Sequence, residues 1–248
     1  MDQLWNYLAI GGVLIFAVAL VIVYSHFQKN KQFNWVRFVA RVAIFAAMST
    51  ILYIVPIFQI RLPFVPSFMA LHFDEIPAMI AGYAYGPIVG EAIILVKTVI
   101  KLPMTSTMGV GELADFIFSS AYILPATIFY KKIRNMKGVL IGFGVATIAQ
   151  IATAMVCNVY WILPFYMNVM GFPAEALLEM CQKAVPAITD LKWSYAFLGV
   201  MPLNIIKDVV VFILTFLVYR TIRKALHWES APKVIAPSHP EEREENKQ

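Results

Sequence analysis

The sequence predicts an all-α polytopic membrane protein. Hydrophobic residues make up 60% of its 248 positions, and mean hydropathy is +0.72. Charged residues are 14%, where a soluble domain carries about 25%. Apolar runs long enough to cross a bilayer alternate with short loops that hold most of the lysines and arginines. The net charge of +5 is therefore read as topology, and no nucleic-acid partner is expected. Two cysteines give no disulfide framework, and Cys157, inside an apolar run, reads as packing.

The runs place spans near 4–24, 36–56, 74–87, 87–101, 113–130, 138–164 and 195–219. Asp2 precedes the first run and no small-x-small cleavage site follows it, so it reads as an uncleaved helix. Positive residues gather at 29–41, in "KKIRNMK" (131–137) and after the last run at Arg220, Arg223 and Lys224. This bias predicts an outside N-terminus and a cytoplasmic C-terminus. The expected organisation is an extra transmembrane helix over 1–28, a membrane domain over 29–226 and a disordered cytoplasmic tail over 227–248.

The stretch 74–101 goes in and comes back within about thirty residues, turning at "YGPIVG". Each arm reaches only about 20–22 Å, short of a hydrocarbon core of about 30 Å. Short arms beneath polar outer loops predict a depression facing outward. The loop 55–72 is too apolar for free solvation and is expected to fold onto the protein; its end, near Leu71, either covers a ligand or simply packs. The loop 102–112 offers small hydroxyls with Gly109 and Gly111, so its backbone either borders a ligand or forms an ordinary turn. After Pro173, the residues Ala174, Leu177, Leu178 and Cys181 fall on one helical face, predicting a short surface helix.

No P-loop, H-E-x-x-H or C-x-x-C occurs, and the four histidines are scattered, so neither ATP nor metal chemistry is expected. Polar residues at membrane depth are more informative, because they are costly there and face a bundle interior or a watery cavity. Lys207 precedes Arg220 by thirteen residues, roughly 20 Å of helix, which puts it in the outer half. Asn204 shares its face at i, i+3. Asn158, Glu112 and Asp115 reach about the same level from two other spans. These groups either contact a ligand or serve structure. Lys207 can pair with Glu112 or Asp115 or reach the outer surface, and the asparagines can join helices. Lys97 is expected to pair with a carboxylate such as Asp115. Ala43 and Ala47, spaced small-xxx-small, permit close approach of another helix, internal or from a second subunit; Gly138 and Gly142 repeat that spacing for internal packing.

The segments "LHFDEIPAMIAGYAYGPIVG", "MGVGELADFIFSSAYILPATIFYKK", "NVYWILPFY" and "MPLNIIKDVVV" together resemble the riboflavin-binding S components of energy-coupling factor (ECF) transporters. The resemblance runs over about residues 36–225. It implies a six-helix substrate-binding protein of the bacterial plasma membrane, preceded here by one extra helix, with no catalysis and no cofactor beyond the transported riboflavin or a related flavin such as FMN. It also implies partners: a T component and two cytoplasmic ATPases, with Ala43 and Ala47 at the T-component contact. Asn158, Asn204 and Lys207 match positions that hydrogen-bond the flavin and its ribityl chain, and Gly109, Gly111 and Glu112 fall at the bordering loop. Tyr160, with Trp161 and Phe165, offers aromatic surface for the ring. The sequence departs from the family pattern where Leu203 replaces an aromatic residue and Asp208 a glycine. Other vitamins or precursors (pantothenate, a pyridoxine-like ring) and a self-contained proton-coupled carrier or membrane enzyme are the alternative readings.

Overall fold

A computed structural model describes residues 34–63, 66 and 69–226. The expected helix within 1–28 and the tail 227–248 lie outside the described residues. The regular secondary structure of the described residues is helical, apart from one isolated bridge between Ile60 and Leu71.

Helix α1 spans Trp35–Ile54, and Asn34 caps it by accepting from the Arg37 amide at 3.0 Å. Helices α2 (Glu75–Tyr85) and α3 (Pro87–Lys101) form the short hairpin. They turn at Gly86, whose φ of 111° excludes a side chain in practice, and Pro87 then starts α3. Helix α4 is Val110–Lys132. Helix α5 runs Met136–Cys157, widens into a π turn over Asn158–Ile162 and continues as Leu163–Asn168. Helix α6, Ala174–Ala184, is the expected short surface helix. It buries Leu177 and Cys181 and leaves Ala174 exposed. Helix α7 starts at Trp193–Tyr195, passes a second π turn at Ala196–Val200 and extends through Met201–Leu226.

Four of these helices are long and apolar enough to cross a membrane: α1, α4, α5 over Met136–Asn168, and α7 over Trp193–Ile222. The arms α2 and α3 reach only about 16 and 22 Å. Helix α2 packs against α1, α3, α4 and α7 and is buried along most of its length. It is a central post that stops short, and the space beyond its N-terminal end becomes the cavity described below. One apolar cluster surrounds α2, including Met79, Ile93, Ile123 and Val211. A second joins the two π turns to α6 through Leu163, Leu177, Tyr195 and Val200.

Internal packing absorbs Gly142, where a Cβ would stand 2.8 Å from the Ala126 carbonyl of α4. Ala43 and Ala47 instead lie on an exposed face of α1 with Ile44 and Met48, while Val42 and Ala46 turn inward. At the top of the hairpin, Lys97 is fully buried between Asp74 and Asp115, and its ammonium lies 2.7 Å from the latter. The Ser49 hydroxyl donates to the Asp74 carbonyl and ties α1 to the same spot.

Candidate functional site

A cavity of about 520 Å³ opens where α2 begins, at the end of the bundle away from Lys131 and Lys132. The folded loop contributes Gln59, Arg61, Met69 and His72. The start of α4 contributes Gly111, Glu112, Asp115 and Phe118. Asn158, Ile162 and Tyr166 come from α5, Leu177 and Met180 from α6, and Leu203, Asn204 and Lys207 from α7.

The two asparagines are held by one scheme. The Asn158 Nδ2 donates to the Ala154 carbonyl at 2.8 Å, and its Oδ1 accepts from the Tyr195 hydroxyl at 3.1 Å. The Asn204 Nδ2 donates to the Val200 carbonyl at 2.8 Å, and its Oδ1 accepts from Gln150 Nε2 at 2.7 Å. A carbonyl cannot donate, so each bond fixes which end of the amide is nitrogen. Each amide keeps one N–H for a ligand. Asn158 opens one π turn and Asn204 lies four residues past the end of the other, and each π turn stops two residues before a proline, Pro164 or Pro202. A proline supplies no N–H to the carbonyl four residues back, so the helix ladder is already interrupted there. The wider turn accommodates the interruption and aims the amides inward.

The loop before α4 is organised around Glu112. Its Oε2 accepts from the Thr105 hydroxyl at 2.7 Å and from the Thr107 hydroxyl at 3.1 Å. The Thr107 hydroxyl in turn accepts from the Gly111 amide at 3.1 Å, where an added Cβ would stand 2.7 Å away. Gly109 begins the helix at φ 88° and donates to the Thr105 hydroxyl at 3.0 Å. This bracing leaves the Glu112 carboxylate, 5% exposed, lining the cavity as a fixed acceptor.

Lys207 is 7% exposed and lines the cavity. Its ammonium lies 2.7 Å from Glu75 Oε1, which also accepts from the Ser119 hydroxyl at 2.7 Å. The partner of Lys207 is therefore Glu75, at the head of α2, rather than Glu112 or Asp115. Asp115 goes to Lys97, as expected. His72 lines the cavity from the loop; burial pushes its pKa down to about 4, with Asp115 opposing and Lys207, Lys97 and Lys101 adding to the shift. It is a neutral imidazole at neutral pH.

Several expected positions lie elsewhere. Tyr160 is 65% exposed and meets Trp193 edge-to-face at 6.4 Å. Asn158 and Ile162 face the cavity, and Tyr160, midway between them, falls on the opposite side of the turn. Trp161 and Phe165 do not line the cavity either; Phe118, Tyr166 and Phe172 supply its aromatic surface. Leu71 is buried against Leu203, one layer behind the wall. Gly109 shapes the loop without lining the cavity. Asp208 is fully buried and turned away; neither carboxylate oxygen has a hydrogen-bond partner among the described residues. Tyr122 donates to its backbone carbonyl at 2.8 Å. Gln150, Tyr195 and Glu75 were not singled out in the sequence, although Gln150 stands out as a lone amide in the apolar run "TIAQIATAMV" at 147–156.

An open cavity at one end of a bundle of membrane helices, walled by fixed amides, an ammonium and a carboxylate, has the form of a binding site in a membrane protein. The profile of the family described as ECF transporter, substrate-specific component, matches residues 37–219, and the chain belongs to that family. This is a family of transporter components, not of enzymes. The chain is 26% identical over 186 residues to the riboflavin transporter RibU of Staphylococcus aureus (strain TCH60), covering 75% of this chain and 92% of that protein. It is 27% identical over 184 residues to the riboflavin transporter FmnP of Bacillus subtilis (strain 168), covering 73% and 90%. A solved structure described as the S component of a bacterial ECF transporter superposes with a TM-score of 0.59 at 24% identity, covering 78% of this chain and 99% of that one, and shows the same fold.

Proposed function

We propose that this chain is the riboflavin-binding subunit of an ECF-type uptake transporter in the bacterial plasma membrane. In this reading it binds its cargo on the outer side, and passes it on through a T component and two cytoplasmic ATPases. The observation that carries the reading is the cavity wall. Asn158, Asn204 and Lys207 each direct a donor inward, and Glu112 supplies an acceptor. Riboflavin has an acceptor-rich ring edge and a chain of hydroxyls that complement this set. A volume of about 520 Å³ lies within the range for such ligands, about 300–1,000 Å³. Phe118, Tyr166 and Phe172 add aromatic surface for the ring. The riboflavin transporters among its relatives support the same cargo.

Titration of the purified chain with riboflavin, followed by quenching of flavin fluorescence, tests this. Saturable binding below micromolar concentration is expected; none at micromolar concentration in a folded sample refutes it. A second reading, FMN as cargo, is favoured by Arg61 and Lys101, two cations lining the same cavity. Competition of FMN against riboflavin decides between them, and displacement by pantothenate or pyridoxine would point to another vitamin. The exposed face around Ala43 and Ala47 is the proposed T-component contact, and Ala43→Leu with Ala47→Leu should abolish co-purification of that partner while leaving flavin binding intact.

A further inference from the structure

A second cavity, of about 270 Å³, lies at the opposite end of the bundle and shares no lining residue with the first. Its wall is the turn from Gly82 to Gly86 together with Tyr130, Lys131, Arg134 and Tyr219. Tyr83, Tyr130 and Tyr219 form a mutual cluster with ring centroids 5.0, 5.7 and 6.1 Å apart. The Tyr130 and Tyr219 hydroxyls stand 3.5 Å apart, and the Tyr219 hydroxyl donates to the Tyr83 carbonyl at 3.5 Å. Tyr83 is 8% exposed, and its hydroxyl has no partner among the described residues. Tyr83 lines the cavity, so this hydroxyl is available to donate to a guest.

The rim is positive and uncompensated. Neither Lys131 nor Arg134 has an ion-pair partner among the described residues, and no carboxylate lines the cavity. Glu91, in the second turn of α3, is fully buried and engaged by the Ser120 hydroxyl. Gly86, the turn residue before α3, lines the same space, and nothing lies within 4 Å of where its Cβ would stand. Two cations and a partnerless hydroxyl, in a cavity that no carboxylate lines, call for an anion with several acceptor oxygens.

We infer that this cavity binds a phosphate group. Acidic phospholipid headgroups and free inorganic phosphate share that chemistry. The site lies at the end of membrane-crossing helices, at the depth where headgroups sit, so the lipid is the source assigned. The test is native mass spectrometry of the full chain in detergent, titrated with phosphatidylglycerol, with phosphatidylcholine as the zwitterionic reference and inorganic phosphate as competitor. One phosphatidylglycerol should be retained at least tenfold better than phosphatidylcholine. Lys131→Gln with Arg134→Gln should lower that retention about tenfold. Tyr83→Phe, which removes only the partnerless hydroxyl, should lower it about threefold. Helical circular dichroism and flavin titration should be unchanged in both variants. Displacement of the lipid by millimolar phosphate would support the anion site and reassign its source. Equal retention of the two lipids with no phosphate binding, or full retention by the double variant, overturns the inference.

Discussion

The pairing of Lys207 with Glu75 allows its structural and binding roles to be separated. Lys207→Ala removes an ammonium 2.7 Å from a carboxylate, and the two residues are 7% and 0% exposed. Breaking a buried pair from one side costs about 3–5 kcal/mol, because a charge is left behind. Glu75 keeps the Ser119 hydroxyl, so the loss should fall near the lower bound, about 3 kcal/mol. Riboflavin affinity should also fall at least tenfold, about 1.4 kcal/mol. Glu75→Gln combined with Lys207→Ala removes both charges and should recover most of the stability. It should not recover the affinity, because the donor facing the cavity is still missing. Thermal unfolding in detergent and fluorescence titration on the wild type, both single variants and the double variant complete the cycle. If the double variant binds riboflavin as the wild type does, Lys207 serves only as a counter-ion to Glu75, and its assignment to the binding wall is wrong.

Three further outcomes follow from the same geometry. Gly111→Ala puts a Cβ 2.7 Å from the Thr107 hydroxyl that braces Glu112 and should weaken riboflavin binding about tenfold; Gly144→Ala, with nothing within 4 Å, should leave binding alone and raise stability by about 0.5–1 kcal/mol. Tyr195→Phe leaves the Asn158 oxygen without its donor and should cost about 1–3 kcal/mol, read as a lower unfolding temperature together with weaker binding. His72 has a folded pKa near 4, below its ordinary 6.5. The unfolded chain therefore binds its proton first as pH falls, so stability should drop between pH 6.5 and 4 and level off below; His72→Gln should flatten that part of a pH series of unfolding temperatures.

Most of the fold was legible because apolar run length and loop charge are local properties. The short hairpin 74–101 could be recognised by counting residues against bilayer thickness. The depth of Asn158, Asn204 and Lys207 could be counted in the same way, and the structure brings all three to one cavity. What escaped depends on contacts distant in sequence. Glu75 and Lys207 are 132 positions apart, and nothing in either segment names the other. Tyr160, offered as aromatic surface for the ring, lies outside the cavity lining: a π turn changes the residues per turn, so α-helical phase does not carry through Asn158–Ile162. Pro164 and Pro202 were the available signals, each placed just beyond a π turn. Pro125 sits in α4 without one, so a proline alone is an ambiguous sign. Asp208, which departs from the family's glycine, is fully buried and does not line the cavity.

The bonds that hold the two asparagines also set a rule of discrimination. Because the Ala154 and Val200 carbonyls take one N–H from each amide, and Tyr195 and Gln150 occupy the oxygens, neither amide can flip to suit a different guest. That wall speaks only as a donor. A flavin analogue with an amino group in place of a ring carbonyl on that edge would set N–H against N–H. The rejection would need no steric clash: it would come from two buried donors losing their acceptors, about 1–3 kcal/mol for each.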